Sequence, residues 1–273
     1  MMQKTHRRFV ETASGVVHIA ENGAGAPVLL LHQTPRSWME FRDVLPILGA
    51  QFHAIAMDTR GFGDSDPLPP ERTTIGGWAA AALELMDALE IQRFSVAGHH
   101  TGAVIALEIA AAAPDRVENL VLSAMSFVDA ERRLQHAHEQ IIDAVEPHDD
   151  GRHILELWER RQPHYPKDMG RDLLERFVVD ALKAGPMAAE GHRVVYRYRM
   201  EDRIGRVRCP TLVLAPTEDR KALAAAPKVA AAIPGARLEE ISGGTIPFPD
   251  HLPRIFAGAV ATFLKANDST ARQ

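Results

Sequence analysis

Little in this chain points to disulfides, membranes or nucleic acid. Cysteine occurs once, as Cys209, so no intrachain disulfide can form and a reducing, cytoplasmic setting is the expectation. Cys209 stands directly before Pro210 at a strand entrance and reads as packing. No apolar run approaches the roughly 20 residues that a membrane span needs. The first ten residues are polar and basic without an apolar centre, so no signal peptide is expected. Lysine and arginine form no block, and the net charge is −5, which argues against a nucleic-acid surface. A small molecule is the expected partner, and a second copy of the chain is the one macromolecular partner left open.

What is present suits a soluble globular enzyme-sized domain. The hydrophobic fraction of 46% and the charged fraction of 25% are ordinary, and 273 residues suffice for one large α/β domain with an insertion. Residues 8–13 and 16–21 predict a hairpin turning at Ser14-Gly15. The uninterrupted apolar run at 27–31 suits a strand buried on both faces of a parallel sheet. Strands at 52–57, 94–97 and 120–123 alternate with helical patterns at 74–89 and 103–113. That alternation predicts an α/β architecture, a mostly parallel central sheet flanked by helices. From 127 to 206 the rhythm breaks into amphipathic stretches at 130–145, 153–161, 172–184 and 190–198. It resumes with strands at 211–214 and 237–241 and helices at 223–233 and 253–264, and the polar tail 267–273 is expected to fray. The expected division is a core of 1–126 and 207–273 with a helical cap of 127–206.

The sharpest signal is Gly98-His99-His100-Thr101-Gly102. A buried strand runs into it and an alanine-rich helix runs out, with glycines flanking one lifted position. This is the frame of a nucleophile elbow, in which a tight strand-to-helix turn presents one side chain above the sheet. The lifted residue here is His100, where serine, cysteine or aspartate would be the nucleophile.

With His32-Gln33-Thr34-Pro35, the glycine loop Asp58-Thr59-Arg60-Gly61-Phe62-Gly63-Asp64-Ser65 and the Asp219 loop, the chain resembles the α/β-hydrolase fold with a helical cap. It is most similar to the capped branch of epoxide hydrolases, dehalogenases and small esterases. The resemblance places the nucleophile position on His100 and the triad acid on Asp219. The usual histidine position falls on Thr245, in Ser242-Gly243-Gly244-Thr245-Ile246, and the nearest histidine is His251. An atypical triad is therefore expected. The resemblance also implies an oxyanion hole from the backbone amides of Thr34 and Thr101, which needs no particular side chain.

Three readings of His100 stay open at this stage. It can be a general base oriented by Asp219, a nucleophile in its own right, or inert in a binding protein. The first is favoured, because an imidazole on an elbow reaches into space that the absent histidine would have filled. Gln33, Arg36, Trp38, His99, Phe127 and Thr245 are the expected pocket residues, with Trp158, Tyr165, Tyr196 and Tyr198 as further aromatic candidates. Asp58, Arg60 and Asp64 read as structural. His99 beside His100 is set aside as a metal pair, since adjacent side chains diverge, and neither metal nor cofactor is expected. The histidines of His136-Ala137-His138 and of the loop containing His148 and His153 read as solvated polar surface. The expected function is hydrolysis of a small, mainly apolar ester, lactone or other carbonyl compound. The alternatives are a lyase, decarboxylase or isomerase at the same site, and a ligand-binding protein without turnover.

Overall fold

The structure, a computed structural model, describes residues 4–137, 139–165 and 169–267. His138 and the tail from 268 onward, singled out above, lie outside the described residues. Eight strands form one sheet: β1 (His6–Thr12), β2 (Gly15–Asn22), β3 (Pro27–Leu31), β4 (His53–Met57), β5 (Phe94–His99), β6 (Val117–Ser123), β7 (Thr211–Pro216) and β8 (Arg237–Ile241). Their order is β1-β2-β4-β3-β5-β6-β7-β8. β1 and β2 form the expected antiparallel hairpin, β2 also runs antiparallel to β4, and every other pair is parallel. The apolar strand runs are explained by helices on both faces. On one face Trp78, Leu85, Ile105 and Ile109 pack with Leu29, Ile55 and Val96. On the other Leu45, Phe256 and Val260 pack with Leu30, Ala56 and Leu214.

The helices are α1 (Leu45–Leu48), α2 (Ile75–Ala88), α3 (Thr101–Ala112), α4 (Ala130–His136), α5 (Arg152–Arg161), α6 (Arg171–Ala184), α7 (Met187–Arg197), α8 (Arg220–Ala231), α9 (Phe248–His251) and α10 (Pro253–Ala266). Helices α4 to α7 intervene between β6 and β7, where the sequence loses its strand rhythm. They include a small core of their own around Leu157, Tyr165, Leu174 and Phe177. Most boundaries move by a few residues, and one moves further. The helix expected over 130–145 stops at His136, and the chain then turns so that the Asp143 carboxylate is buried against Arg161 and His192. A buried carboxylate must be paired, and that requirement overrides helical periodicity.

Two close approaches fix the elbow. A Cβ on Gly98 would lie 2.1 Å from the Gly102 carbonyl oxygen, and one on Gly102 would lie 1.9 Å from that of Leu31. Strand β5, helix α3 and the end of β3 therefore meet backbone to backbone. The turn after β3 is held as tightly. Its Gln33 amide N–H donates to Glu40 Oε2 at 2.8 Å, and His32 bridges the Gln33 carbonyl and the Thr59 N–H at 2.8 and 2.9 Å. Arg36, expected at the pocket, is instead fully buried. It pairs with Asp180 of α6 at 2.8 Å and with Asp250 of α9, which ties this turn to the insertion and to the last turn of the sheet. Trp38 is also buried away from the pocket, with the Arg7 guanidinium 5.5 Å from its ring centroid.

Two measurements test this scaffold. Gly102→Ala forces a methyl group into a carbonyl that cannot yield, so thermal unfolding should show a loss of about 3 kcal/mol or more. Glu40 supplies the second. Burial pushes its carboxyl up to about 8 from 4.5, although the Arg36 guanidinium pulls the other way. The folded state therefore binds a proton that the unfolded state has released. The contribution is fully present below 4.5 and is lost as pH rises toward 8. Denaturant titrations of Glu40→Gln across that range should lack this part of the wild-type decline.

Candidate active site

His100 is the hinge of the site. Its backbone sits at φ 47° and ψ −112°, in the left-handed half of conformational space that a side-chain-bearing residue rarely enters. Such a conformation costs on the order of 1–3 kcal/mol and persists only where surrounding structure imposes it. Here the imposition comes from both sides: His100 N–H donates to the Ser123 carbonyl at 2.9 Å, and its own carbonyl accepts from Ala103 N–H at 3.0 Å. The ring is thereby lifted off the sheet toward β7.

Asp219, the N-cap of α8 just past β7, meets it there. Nε2 of His100 lies 2.9 Å from Oδ2 of Asp219. Both atoms are buried, and their angle falls outside hydrogen-bond geometry, so the contact is a close one without linear alignment. The other carboxylate oxygen accepts from Ala222 N–H at 3.1 Å, which fixes the group. Burial would raise the Asp219 carboxyl, but the His100 imidazole and the Ala222 amide outweigh it and hold it below the usual range. The side chain of Asp219 is 4% exposed and that of His100 is 23% exposed. The ring therefore still opens outward, and its Nδ1 has no protein partner among the described residues.

It opens into a cavity of about 230 Å³ that brings together five residues singled out in the sequence: Gln33, Thr34, His100, Thr101 and Asp219. Thr101 is the first residue of α3, where an amide N–H lacks a partner within the helix. Val104, Val128, Val195 and Ile246 add apolar wall. A larger open groove of about 570 Å³ adjoins it through Ser126, Arg132 and Lys221, but holds neither His100 nor Asp219.

The other expected pocket residues lie elsewhere. His99 is fully buried, as the last residue of β5. Its Nε2–H donates to the Ile246 carbonyl at 2.8 Å and its Nδ1 meets the Ser123 hydroxyl at 3.0 Å. Burial, then the charge of His100, holds its pKa well below the ordinary value, so it is a neutral prop. It stands edge-on to His100 with centroids 4.6 Å apart. Phe127 belongs to the adjoining groove, where the Lys228 ammonium lies 4.5 Å from its ring centroid. Thr245 is buried behind the cavity, 3.3 Å from Nδ1 of His251, and neither residue lines it. Of the aromatic candidates only Tyr196 reaches the cavity. Tyr165 packs in the insertion's own core, and Tyr198 donates to Glu108 at 2.6 Å.

Asp58 and Arg60 are structural, as expected. Asp58 accepts from Trp38 N–H at 2.6 Å and Asp64 N–H at 2.9 Å, and lies 2.8 Å from His18 Nδ1. His18, Asp58 and Asp64 bring their ligand atoms within 4.8 Å of one another, the spacing of a metal site. Those atoms are already satisfied by each other and by the Lys183 ammonium on Asp64, which occupies the role a cation would take. Cys209 is packing: burial pushes its thiol up to about 11.

Sequence reasoning missed the insertion's contribution. Arg161, His164 and His192 line the cavity beside Tyr196, and buried Asp143 stands behind Arg161 and His192. His136, read as solvated, is buried and stacks on Tyr196 with centroids 3.5 Å apart. The loop histidines 148 and 153 do lie at the surface, bonded to each other at 3.1 Å.

Comparison with known proteins agrees with this architecture. Epoxide hydrolase 2 of Siraitia grosvenorii is 35% identical over 129 residues, which are 46% of this chain and 41% of that protein. The matches to the first curated relatives thus span less than half of their length. Among solved structures, a hydrolase from Pseudomonas aeruginosa PA01 superposes with a TM-score of 0.78 at 25% identity, covering 95% of this chain and 98% of that one. The enol-lactonase from Burkholderia xenovorans LB400 gives 0.77 at 21% identity, with coverage of 94% and 100%. The family profile described as alpha/beta hydrolase fold matches residues 26–251. The chain belongs to the alpha/beta hydrolase fold family.

Proposed function

We propose that this chain is a cofactor-free hydrolase of small esters or lactones in which His100 acts as general base. The observation that carries the reading is His100 on the strained elbow, with Nε2 at 2.9 Å from buried Asp219 and the rest of the ring open to the cavity. A carboxylate at one ring nitrogen orients the imidazole and stabilises the cation it becomes on taking a proton. Water, deprotonated through Nδ1, would attack the substrate carbonyl directly, with no acyl-enzyme. The Thr34 and Thr101 amides would receive the oxyanion. The insertion, 127–206, acts as a cap over the core formed by 1–126 and 207–273. The wild-type elbow offers no serine, so the serine-type route is not available at this position, and Ser95 is held in strand β5 by Asn119 at 3.1 Å.

A screen across esters, lactones and β-keto acids tests the reading, run on wild type and His100→Ala. Hydrolysis by wild type should fall by roughly a hundredfold or more in the variant. Undiminished hydrolysis by a folded His100→Ala would remove His100 from the chemistry. Conversion of β-keto acids alone would point to a decarboxylase. Ligand binding without product would point to a binding protein. A second measurement addresses the intermediate. Fluorophosphonate probes should leave the protein unlabelled, and stoichiometric labelling of a serine would sink the direct-water route.

A further inference from the structure

The cavity is faced by a second imidazole anchored on a carboxylate. His192 stands on α7 in the insertion, and its Nε2 lies 2.7 Å from Asp143 Oδ2. The Asp143 side chain is fully buried. Arg161 grips it with two nitrogens, one of them Nε at 2.7 Å from Oδ1. Burial pushes the Asp143 carboxyl up, but the Arg161 guanidinium and the His192 hydrogen bond outweigh it and hold it at about 2. Asp143 is thus a permanent anion whose position is set by arginine and whose second partner is an imidazole. With Nε2 on Asp143, the free nitrogen is Nδ1. It has no protein partner among the described residues, and the ring is 19% exposed where it lines the cavity. Ion-paired carboxylates are common on surfaces, but this one lies beneath the wall of the reaction cavity and has its imidazole turned toward it.

Two carboxylate-anchored imidazoles therefore face one small space, His100 from the sheet side and His192 from the insertion side. Direct hydrolysis needs two proton transfers at different atoms. A base must take a proton from the attacking water, and an acid must give one to the departing alkoxide. We propose that His192 is the general acid that protonates the leaving group, and that the preferred substrates are esters or lactones of poorly leaving aliphatic alcohols. The proposal rests on His100 being the base. In the first step the water oxygen bonds to the carbonyl carbon, its proton passes to His100 Nδ1, and the carbonyl π pair moves onto oxygen. In the second the oxyanion re-forms the double bond, the carbon–alkoxide bond breaks, and the alkoxide takes the Nδ1 proton of the His192 imidazolium. The proton on His100 returns to His192 through water in the cavity. Ester and water become acid and alcohol, and no electrons leave the system.

The test compares an ethyl ester with the p-nitrophenyl ester of the same acid, on wild type, His192→Gln, His192→Phe and His100→Ala. Folding of each variant is checked by its thermal melt. p-Nitrophenolate departs without a proton, whereas ethoxide requires one. Both His192 variants should lose about a hundredfold or more on the ethyl ester and less than about threefold on the p-nitrophenyl ester. A loss of equal size on the two esters would reduce His192 to shaping the cavity and overturn the proposal, as would full ethyl ester activity in both variants. His100→Ala should lose both esters alike. If it keeps both, the base assignment fails, while the leaving-group split of the His192 variants is read independently.

Discussion

The approach of backbone to backbone at Gly98, Gly102 and Leu31 is the constraint from which the site follows. Side chains at either glycine would collide with carbonyl oxygens that belong to the sheet and the helix start. With none there, α3 begins directly against the ends of β3 and β5. The chain must then reverse within one residue, and His100 takes the left-handed conformation that the reversal demands. Its cost of about 1–3 kcal/mol is small beside the burial of the strands and helix on either side. The strain is thus imposed by packing, and its product is an imidazole placed beyond the C-terminal end of the interior strand β5, not within the layers.

Electrostatics then decide what that imidazole can do. Asp219 is buried enough that an isolated carboxylate would tend to hold its proton. The Ala222 amide and the His100 ring reverse the tendency, so the carboxylate stays charged where the ring needs it. His99 is next in sequence and ends opposite in character. It has the same ring, but both nitrogens are committed, to Ser123 and Ile246, and burial keeps it neutral. Neighbouring histidines thus divide into a buried prop and a ring open to the cavity because one closes a strand and the other opens a turn. The His99 bond to the Ile246 carbonyl also fixes the loop after β8. In that loop Thr245 faces His251, leaving the space near Asp219 to the elbow histidine.

The sheet, the place of the insertion and the elbow were legible because each is written in local terms. Strand runs, helical periodicity and the Gly-x-x-x-Gly frame depend on near neighbours in the chain. The pairing of His100 with Asp219 was legible too, since an elbow and a post-strand loop have few places to go. Arg36 was misread because sequence shows its charge but not the two acids that bury it. Those acids are 144 and 214 residues away. Phe127 and Thr245 each sit one residue from side chains that do line the cavity, Ser126 and Val128 for the first and Ile246 for the second. The insertion's side chains were the least legible part, because which of them face the cavity is set by tertiary burial. Asp143 lay within a plausible helix, and only the positions of Arg161 and His192 explain why the helix ends early.

That last failure bears on how the insertion works. A wall built only to exclude water would be served by the apolar cluster around Phe177, which forms a core of its own. Instead the insertion buries a full negative charge, a state that is destabilising unless every partner is in place. Those partners, Arg161 and His192, come from α5 and α7, so Asp143 also fixes how these two helices stand relative to each other. Helix α7 in turn lies against the Thr34 turn so closely that a Cβ at Gly191 would sit 2.5 Å from the Thr34 methyl. The buried charge, the roof imidazole and the turn that carries Thr34 are therefore mechanically one unit. A change that loosens Asp143 would therefore move the cavity wall on the insertion side and the Thr34 turn together.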